Sequence, residues 1–134
     1  RPGIGTRNIR VISIVDRYLE HSRIFYFANG GSPEYYLASS DWMPRNLNRR
    51  IEVLFPVDDR AARRRLWDLL QIQLHDTRKG RVLKSTGNYS PVSRRDNDAR
   101  SQEQTYKLLA AACREAKPVR PKTRILPVIR PRTM

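Results

Sequence analysis

A histidine and an arginine, His21 and Arg23, stand two residues apart in a polar stretch between two apolar runs. Imidazole titrates near neutral pH, so it can take or give a proton or attack phosphorus directly. On an extended segment both side chains would lie on one face, and a guanidinium can grip two phosphate oxygens at once. The pair therefore indicates proton or phosphoryl chemistry. The alternatives are a loop histidine without a role and a surface ion pair of Arg23 with Glu20 or Asp16.

A second group of anion-binding side chains follows further along the chain, and it consists of Arg45, Asn46, Arg49 and Arg50. Guanidinium and amide groups both donate hydrogen bonds to phosphate oxygens. Arg50 is predicted to open a strand, which would fix its direction. For Asn46 the alternative is ordinary turn chemistry, because asparagine is common in loops.

Runs of β-branched and aromatic residues predict the elements that position these groups. Four strands are predicted, over residues 9–15, 24–28, 35–38 and 50–55. The sequence Asn29-Gly30-Gly31 marks a hairpin turn between the second and third of them. The polar groups thus fall at strand ends, where a rigid framework holds side chains open to solvent.

The second half of the chain is predicted to be mostly helical. A first helix, capped by Asp58 or Asp59, is predicted to end near residues 75–77. A short strand at 81–83 and an exposed loop at 84–97 follow. A second helix is predicted from about Asp98 to Lys117, with one apolar stripe made of Tyr106, Leu109, Ala110 and Cys113. Prolines end that helix, and a basic, proline-rich tail occupies residues 118–134. The order of elements predicts an α/β domain with a mixed sheet flanked by helices.

The charge of the chain favours a polyanionic partner. Its 134 residues include 27 Lys and Arg against 13 Asp and Glu, for a net charge of +14. Such an excess indicates polyphosphate, nucleotide, nucleic acid or an acidic membrane surface, and the alternative is a soluble surface that is merely basic. The length suits one domain. The first residue is not methionine, so we expect a piece of a longer protein.

Several classes of protein are disfavoured. The single cysteine, Cys113, cannot form an internal disulfide, and one cysteine with two histidines gives no zinc-binding spacing. No stretch approaches the ~20 apolar residues of a membrane span, and no signal peptide is visible. The chain contains no Gly-x-x-x-x-Gly-Lys phosphate loop and no Gly-x-Gly-x-x-Gly fingerprint.

Three polar blocks carry a resemblance to a known family. Residues 16–23, 29–31 and 39–46, separated by strands of matching length, resemble the last domain of polyphosphate kinases. The resemblance covers Arg1 to about Ala116, so it implies a C-terminal catalytic domain over residues 1–117. It also implies a phospholipase D-like fold, of which this chain would be one half facing another across a cleft.

The resemblance also implies roles for particular residues. His21 would face the phosphate opposite a second, phosphorylated histidine that lies upstream of this chain, and would act as general acid or base or as an electrostatic stabiliser. Arg50 would contact nucleotide phosphates, and the further candidates for phosphate binding are Arg23, Arg45, Asn46 and Arg1. Asp41 is expected to orient an arginine, and Trp42 to lie in the core. Phospholipase D relatives have His-x-Lys where this chain has His21 and Arg23, which disfavours phosphodiester cleavage.

The implied activity is the reversible transfer of the ATP γ-phosphate to inorganic polyphosphate, with Mg²⁺ bound mainly by parts outside this chain. The expected partners are ATP or ADP, polyphosphate, the preceding domains and other subunits of a homo-oligomer. The implied location is the cytoplasm, peripheral to the inner membrane. The isolated domain is expected to be inactive. The alternative function is a basic nucleic-acid-binding module, disfavoured because the consecutive aromatics Phe25, Tyr26 and Phe27 would split across both faces of a strand.

Overall fold

The computed structural model describes residues 8–92 and 98–115. These residues form six strands, three α-helices and one short 3-10 helix. In chain order they are β1 (Ile12–Ile14), β2 (Ile24–Phe27), the 3-10 helix (Asn29–Gly31), β3 (Glu34–Ala38), α1 (Pro44–Arg49), β4 (Leu54–Pro56), α2 (Arg60–Leu74), β5 (Gly80–Leu83), β6 (Tyr89–Pro91) and α3 (Ser101–Glu115). The predicted tail, residues 118–134, and the predicted boundary before it lie outside the described residues.

The α/β class is confirmed, but the prediction of a single mixed sheet is wrong. The strands form two sheets of three, in the orders β1-β5-β6 and β2-β3-β4, and every pairing in them is antiparallel. Short turns join β2 to β3 and β5 to β6, and such turns permit only antiparallel pairing. The first strand pairs with the distant β5 and not with β2, from which residues 15–23 separate it.

The sheet β2-β3-β4 has one covered and one open face. Its predicted hairpin is confirmed, and Gly30 and Gly31 close the turn with φ of 59° and 101°. On the covered face the Tyr26 ring lies 4.9 Å from that of Trp67 on α2, measured between centroids. Alternation along β2 sends Phe25 and Phe27 to the opposite, open face, as the sequence predicted for these aromatics.

The sheet β1-β5-β6 corrects part of the prediction of an exposed loop over 84–97, because residues 89–91 form β6, while residues 93–97 lie outside the described residues. The short strand β5 was expected, but residues 84–88 form a turn that leads into β6, with Leu83 opposite Tyr89. Gly87 has φ of 91°, and its N–H donates to the carbonyl of Lys84 at 2.9 Å. A left-handed glycine of this kind is what allows so short a turn to reverse the chain.

Helix α1 was not predicted, and it changes the position of Arg50. Pro44 occupies its first turn, where the missing N–H costs nothing and the fixed φ suits a helix. Arg50 therefore follows the last residue of α1, with φ −125° and ψ 153°, and β4 begins only at Leu54. The prediction that Arg50 opens a strand is wrong.

The two long helices begin at side-chain hydrogen bonds. Asp59 caps α2 as predicted, with its Oδ1 accepting from the N–H of Ala62 at 2.7 Å. The α2 helix packs on α3. The expected apolar stripe of α3 is largely exposed, since Tyr106 keeps 73% of its surface and Cys113 is exposed as well.

A single carboxylate, that of Asp76, connects the end of α2, the start of β5 and the start of α3. It is fully buried, at 0% exposure, and accepts from the backbone N–H groups of Lys79 at 2.6 Å, Gly80 at 3.0 Å and Ser101 at 2.7 Å. Gly80 has no room for a side chain, because a Cβ there would lie 2.3 Å from the Asp76 carbonyl oxygen. The Thr77 and Arg78 N–H groups add bonds of 3.0 and 3.1 Å to the carbonyl of Ala99.

The pKa of Asp76 reflects this setting. Burial raises the pKa, but hydrogen bonds from Ser101, Lys79 and Gly80 outweigh burial, so the pKa lies below its ordinary value. The carboxylate is therefore charged at neutral pH, and each of its N–H partners donates to an ionised acceptor, which is the stronger kind of hydrogen bond.

We expect Asp76→Asn to lower the free energy of unfolding by about 2–4 kcal/mol, because an amide N–H₂ would face backbone donors. Urea unfolding followed by circular dichroism measures this. The control is Asp68→Asn on α2, whose half-exposed side chain loses a 3.8 Å pair with Arg64, and a loss of about 0.5 kcal/mol or less is expected. Equal losses in the two variants would contradict a special role for Asp76.

The dependence of stability on pH tests the same role of Asp76. Because the pKa of Asp76 is lower in the folded state, its stabilisation is complete above the unfolded value of 3.8 and is lost as pH falls through the folded value. Stability of the unchanged chain should therefore decline below about pH 4. The Asp76→Asn chain cannot take up that proton, so its decline should be shallower.

Candidate functional site

The segment between β1 and β2, residues 15–23, carries His21 and is here named the His21 loop. It is fixed at both ends. Near its start, Asp16 and Tyr18 are hydrogen-bonded to side chains at the beginning of α3. At its end, Arg23 is bonded to Asp41. His21 lies exposed between these fixed points, which is the arrangement of a group held by a framework but open to a ligand.

The ion pair of Arg23 and Asp41 anchors the end of this loop. The Arg23 Nε donates to Asp41 Oδ1 at 2.9 Å, and the Arg23 Nη1 donates to the backbone carbonyl of His21 at 3.1 Å. The prediction that Asp41 orients an arginine is confirmed. The alternative pairing of Arg23 with Asp16 is wrong, because Asp16 pairs with Arg100 across the domain.

A second carboxylate, that of Glu52, lies at the centre of another small network. Its Oε2 accepts from the Ser39 hydroxyl at 2.5 Å and its Oε1 from the Asn46 side-chain amide at 2.9 Å. Backbone and side chain of Ser39 both bond to Val53 at 3.0 Å, which ties the end of β3 to the approach to β4. Asn46 is 4% exposed, and its Oδ1 has no hydrogen-bond partner among the described residues.

The cations of the site gather around these two carboxylates. The hydrogen bond from Arg23 lowers the pKa of Asp41 most, against the effect of burial, and the charges of Arg45 and His21 lower it further. Hydrogen bonds from Ser39 and Asn46 lower the pKa of Glu52 most, and the charges of Arg50 and Arg23 add to this effect. Three guanidinium groups and one imidazole therefore share two carboxylates, which leaves a positive site suited to an anion.

The structure brings most of the predicted site residues together. Arg23 bonds to Asp41, and Asn46 bonds to Glu52. The charges of Arg45 and His21 act on Asp41, and that of Arg50 acts on Glu52. The side chains of Arg45 and Arg50 are exposed, whereas the Asn46 amide donates inward to Glu52. Arg1 lies outside the described residues.

Trp42 corrects a prediction, because it lies at the surface instead of in the core. It is 79% exposed and stacks on Phe25, with ring centroids 6.0 Å apart. Both rings line an open apolar groove of about 980 Å³ on the open face of β2-β3-β4, together with Phe27, Tyr36 and Leu54. Strand β3 ends at Ala38, so Trp42 lies in the connection to α1, and its ring rests against Phe25 on the open face of the sheet.

Comparisons with known proteins identify the family. Residues 1–104 match the family model of polyphosphate kinase C-terminal domain 2. The chain is 47% identical over 110 residues to a polyphosphate kinase of Rhodopirellula baltica, covering 79% of this chain and 13% of that protein. It is 51% identical over 109 residues to polyphosphate kinase 1 of Chlorobaculum tepidum, covering 80% and 16%. The chain belongs to the polyphosphate kinase family.

A solved structure agrees with that assignment. The crystal structure of polyphosphate kinase from Porphyromonas gingivalis is similar to this chain with a TM-score of 0.74 and 44% identity, over 80% of this chain and 17% of that one. The chain thus spans less than a fifth of the length of these relatives. The matches do not favour the alternative of a nucleic-acid-binding module.

The described residues hold neither a metal-ligand cluster nor a membrane-spanning helix. Within residues 8–92 and 98–115, no three His, Cys, Asp or Glu side chains come together as metal ligands. Since Asp41 and Glu52 are also occupied by Arg23, Ser39 and Asn46, the described residues do not fit a magnesium site of their own. Over the same residues, no helix has the length and apolar character needed to span a bilayer.

Glu52 and Ser39 are the members of the site that the sequence analysis missed. Glu52 stands two residues after Arg50, so on an extended segment the two side chains share a face. That spacing was the available signal. The partnership of Ser39 with Glu52 had no local signal, because it depends on α1 returning the chain to the end of β3.

We expect Ser39→Ala to raise the pKa of Glu52 towards its ordinary 4.5, because the hydroxyl is the first cause of its lowering. A carbon NMR titration of the Glu52 carboxyl measures the pKa directly. The control is Ser40→Ala, which removes a neighbouring hydroxyl that does not bond to Glu52. An unchanged pKa in Ser39→Ala, or an equal rise in the control, would contradict the network.

Proposed function

We propose that this domain takes part in the reversible transfer of the ATP γ-phosphate to inorganic polyphosphate, as the C-terminal catalytic part, residues 1–117, of a polyphosphate kinase. The observation that carries the proposal is the cluster of Arg23, Arg45, Arg50 and His21 around two carboxylates, in a chain of this family. Polyphosphate and the ATP triphosphate are both dense polyanions, and a cluster of this kind attracts them.

The arginines of the site fall into two groups, one bonded within the domain and the other exposed to solvent. Arg23 is held by Asp41 and by the His21 carbonyl, so its charge occupies one position before any ligand arrives. Arg45 and Arg50 are exposed, and we propose that they donate to phosphate oxygens. Phosphoryl transfer depends mainly on positioning and on stabilising charge at the transferring group, so preorganised cations contribute directly to rate.

Asn46 and Arg1 are the remaining residues of the proposed site. The Asn46 amide donates to Glu52 at 2.9 Å, so we propose that it acts by holding that carboxylate beside Arg23 and Arg50. Its buried Oδ1 cannot bond a phosphate oxygen, since both are acceptors. Arg1 is proposed as a phosphate ligand on the resemblance alone.

His21 is the residue to which we assign the transfer step. We propose that it faces the phosphate opposite a phosphorylated histidine in a preceding domain, this chain being one phospholipase D-like half. There it would serve as general acid or base or as an electrostatic stabiliser. Its exposed position on a loop fixed at both ends suits either role, because the ring is open to the ligand while its backbone is restrained.

Other parts of the longer protein are needed for this function. Mg²⁺ would supply charge neutralisation at the phosphates, and we propose that it is held outside this chain. The same holds for the phosphorylated histidine, so the isolated domain is proposed to be inactive. We further propose that the whole protein is a homo-oligomer of the cytoplasm, associated peripherally with the inner membrane.

The test is His21→Ala in the full-length parent protein, assayed for ATP-dependent polyphosphate synthesis and for the amount of phosphorylated enzyme. We expect synthesis to fall by about 100-fold or more in a normally folded protein, because proton transfer by a positioned group contributes that much. His75→Ala is the matched control. Its Nδ1–H donates to the backbone carbonyl of Gln71 at 2.8 Å, at the end of α2.

The two variants separate the outcomes. A loss in His21→Ala with near-normal synthesis in His75→Ala supports the proposal. Unchanged synthesis in His21→Ala would make His21 a bystander, and the role of the domain would then depend on its arginines alone.

A further inference from the structure

Arg100, just before α3, grips the start of the His21 loop with a two-pronged ion pair. Its Nε donates to Asp16 Oδ2 at 2.8 Å and its Nη2 to Asp16 Oδ1 at 2.6 Å. Parallel bonds of this kind fix direction as well as distance. The Asp16 side chain is only 2% exposed, so the pair differs from surface ion pairs, which contribute little.

Gln102, two residues later, holds the backbone of Tyr18 in the same loop. Its Oε1 accepts from the Tyr18 N–H at 2.9 Å and its Nε2 donates to the Tyr18 carbonyl at 2.6 Å. The side-chain amide thus satisfies both backbone groups of one residue, as a neighbouring strand would. Gln102 is buried, so water does not compete freely for these bonds.

The residue between these two connects the loop to the centre of the domain. The Ser101 N–H donates to the buried carboxylate of Asp76 at 2.7 Å. Three consecutive residues therefore bind three different partners: Arg100 binds Asp16, Ser101 binds Asp76, and Gln102 binds Tyr18. The start of α3 therefore links the His21 loop to the junction of α2 and β5.

The far end of the loop is fixed independently. Arg23 bonds to Asp41 and to the carbonyl of His21 itself. Between Tyr18 and Arg23 only four residues remain, and His21 is one of them. Fixing both ends of so short a span restricts where the His21 backbone can lie.

We propose that Arg100 and Gln102 are positioning residues for His21, holding its loop at the distance at which the ring can act on a transferring phosphoryl group. The inference rests on the proposed function of His21. Neither side chain need touch the phosphate, since both act through the backbone of the loop. A misplacement of about 1 Å can cost about 100-fold in rate, so bonds remote from the chemistry can still control it.

Arg100 is also held on its own side of the contact. Its Nη1 donates to Glu103 Oε1 at 2.6 Å, within the first turn of α3. The guanidinium therefore reaches Asp16 already oriented by its own helix, and a planar fork loses little freedom when both prongs bind. Lysine could keep the charge but not the two parallel bonds.

The experiment uses the full-length parent protein with Arg100→Met and Gln102→Met, each alone and combined with His21→Ala. Polyphosphate synthesis at varied ATP gives kcat and KM. We expect each single variant to lower kcat by about 10- to 100-fold with little change in KM. Arg100→Lys should restore only part of the loss. In the His21→Ala background neither variant should cause a further loss, because there is no ring left to position.

Arg78→Met is the matched control. It removes an ion pair with Asp98 that also lies just before α3 but does not touch the His21 loop. Near-normal kcat is expected. A loss in the control equal to that in Arg100→Met would show a general effect on α3 and would overturn the proposal.

The other possible results of this experiment distinguish failure of the positioning role from failure of the proposed function. Normal kcat in the single variants overturns the positioning role while leaving His21 itself intact. A further loss in the His21→Ala background would show a structural role and would also overturn it. Normal synthesis by His21→Ala would instead remove the proposed function, and the positioning role with it. If Arg100→Met does not fold, Gln102→Met decides by the same criteria.

Discussion

The buried carboxylate of Asp76 is the constraint on which the rest of the domain depends. Three backbone N–H groups, from Lys79, Gly80 and Ser101, converge on one charge that has no exposed surface. A buried charge is tolerated only when it is fully hydrogen-bonded, so the three segments that supply those donors must meet at this point. The end of α2, the first residue of β5 and the start of α3 are thereby held together, although only Ala99 and Tyr35 among the described apolar residues are buried.

The same junction also holds the candidate site, because side chains at the start of α3 bond to the His21 loop. Arg100 and Gln102 flank Ser101, which bonds to Asp76. Arg100 binds Asp16 of the loop, and Gln102 binds the backbone of Tyr18. A second set of bonds, centred on the Arg23–Asp41 pair and on Glu52, collects the cations around the other end of the loop. Different residues thus fix the loop and face the solvent. Buried polar contacts fix the backbone of the His21 loop, and exposed arginines remain available to a polyanion.

Local features were predictable from the sequence, and distant pairings were not. The hairpin at Gly30, the cap at Asp59 and the strand β5 each depend on residues next to one another. The α1 helix was missed because Pro44 also suits a turn, and its presence displaced Arg50 from the expected strand. Asp16 and Arg100 stand 84 positions apart, and no spacing in a single sequence indicates such a pair. The division into two sheets depends on equally remote contacts.

The most direct measurement is the displacement of a fluorescently labelled single-stranded oligonucleotide from the chain by polyphosphate of equal charge. The account predicts that polyphosphate displaces the oligonucleotide, and that Arg23→Gln with Arg50→Gln abolishes this preference. Removing the same charge from α2, with Arg60→Gln and Arg65→Gln, should leave the preference in place. A preference for the oligonucleotide, or equal effects of the two double variants, would contradict a phosphate site at His21 and leave only a basic surface.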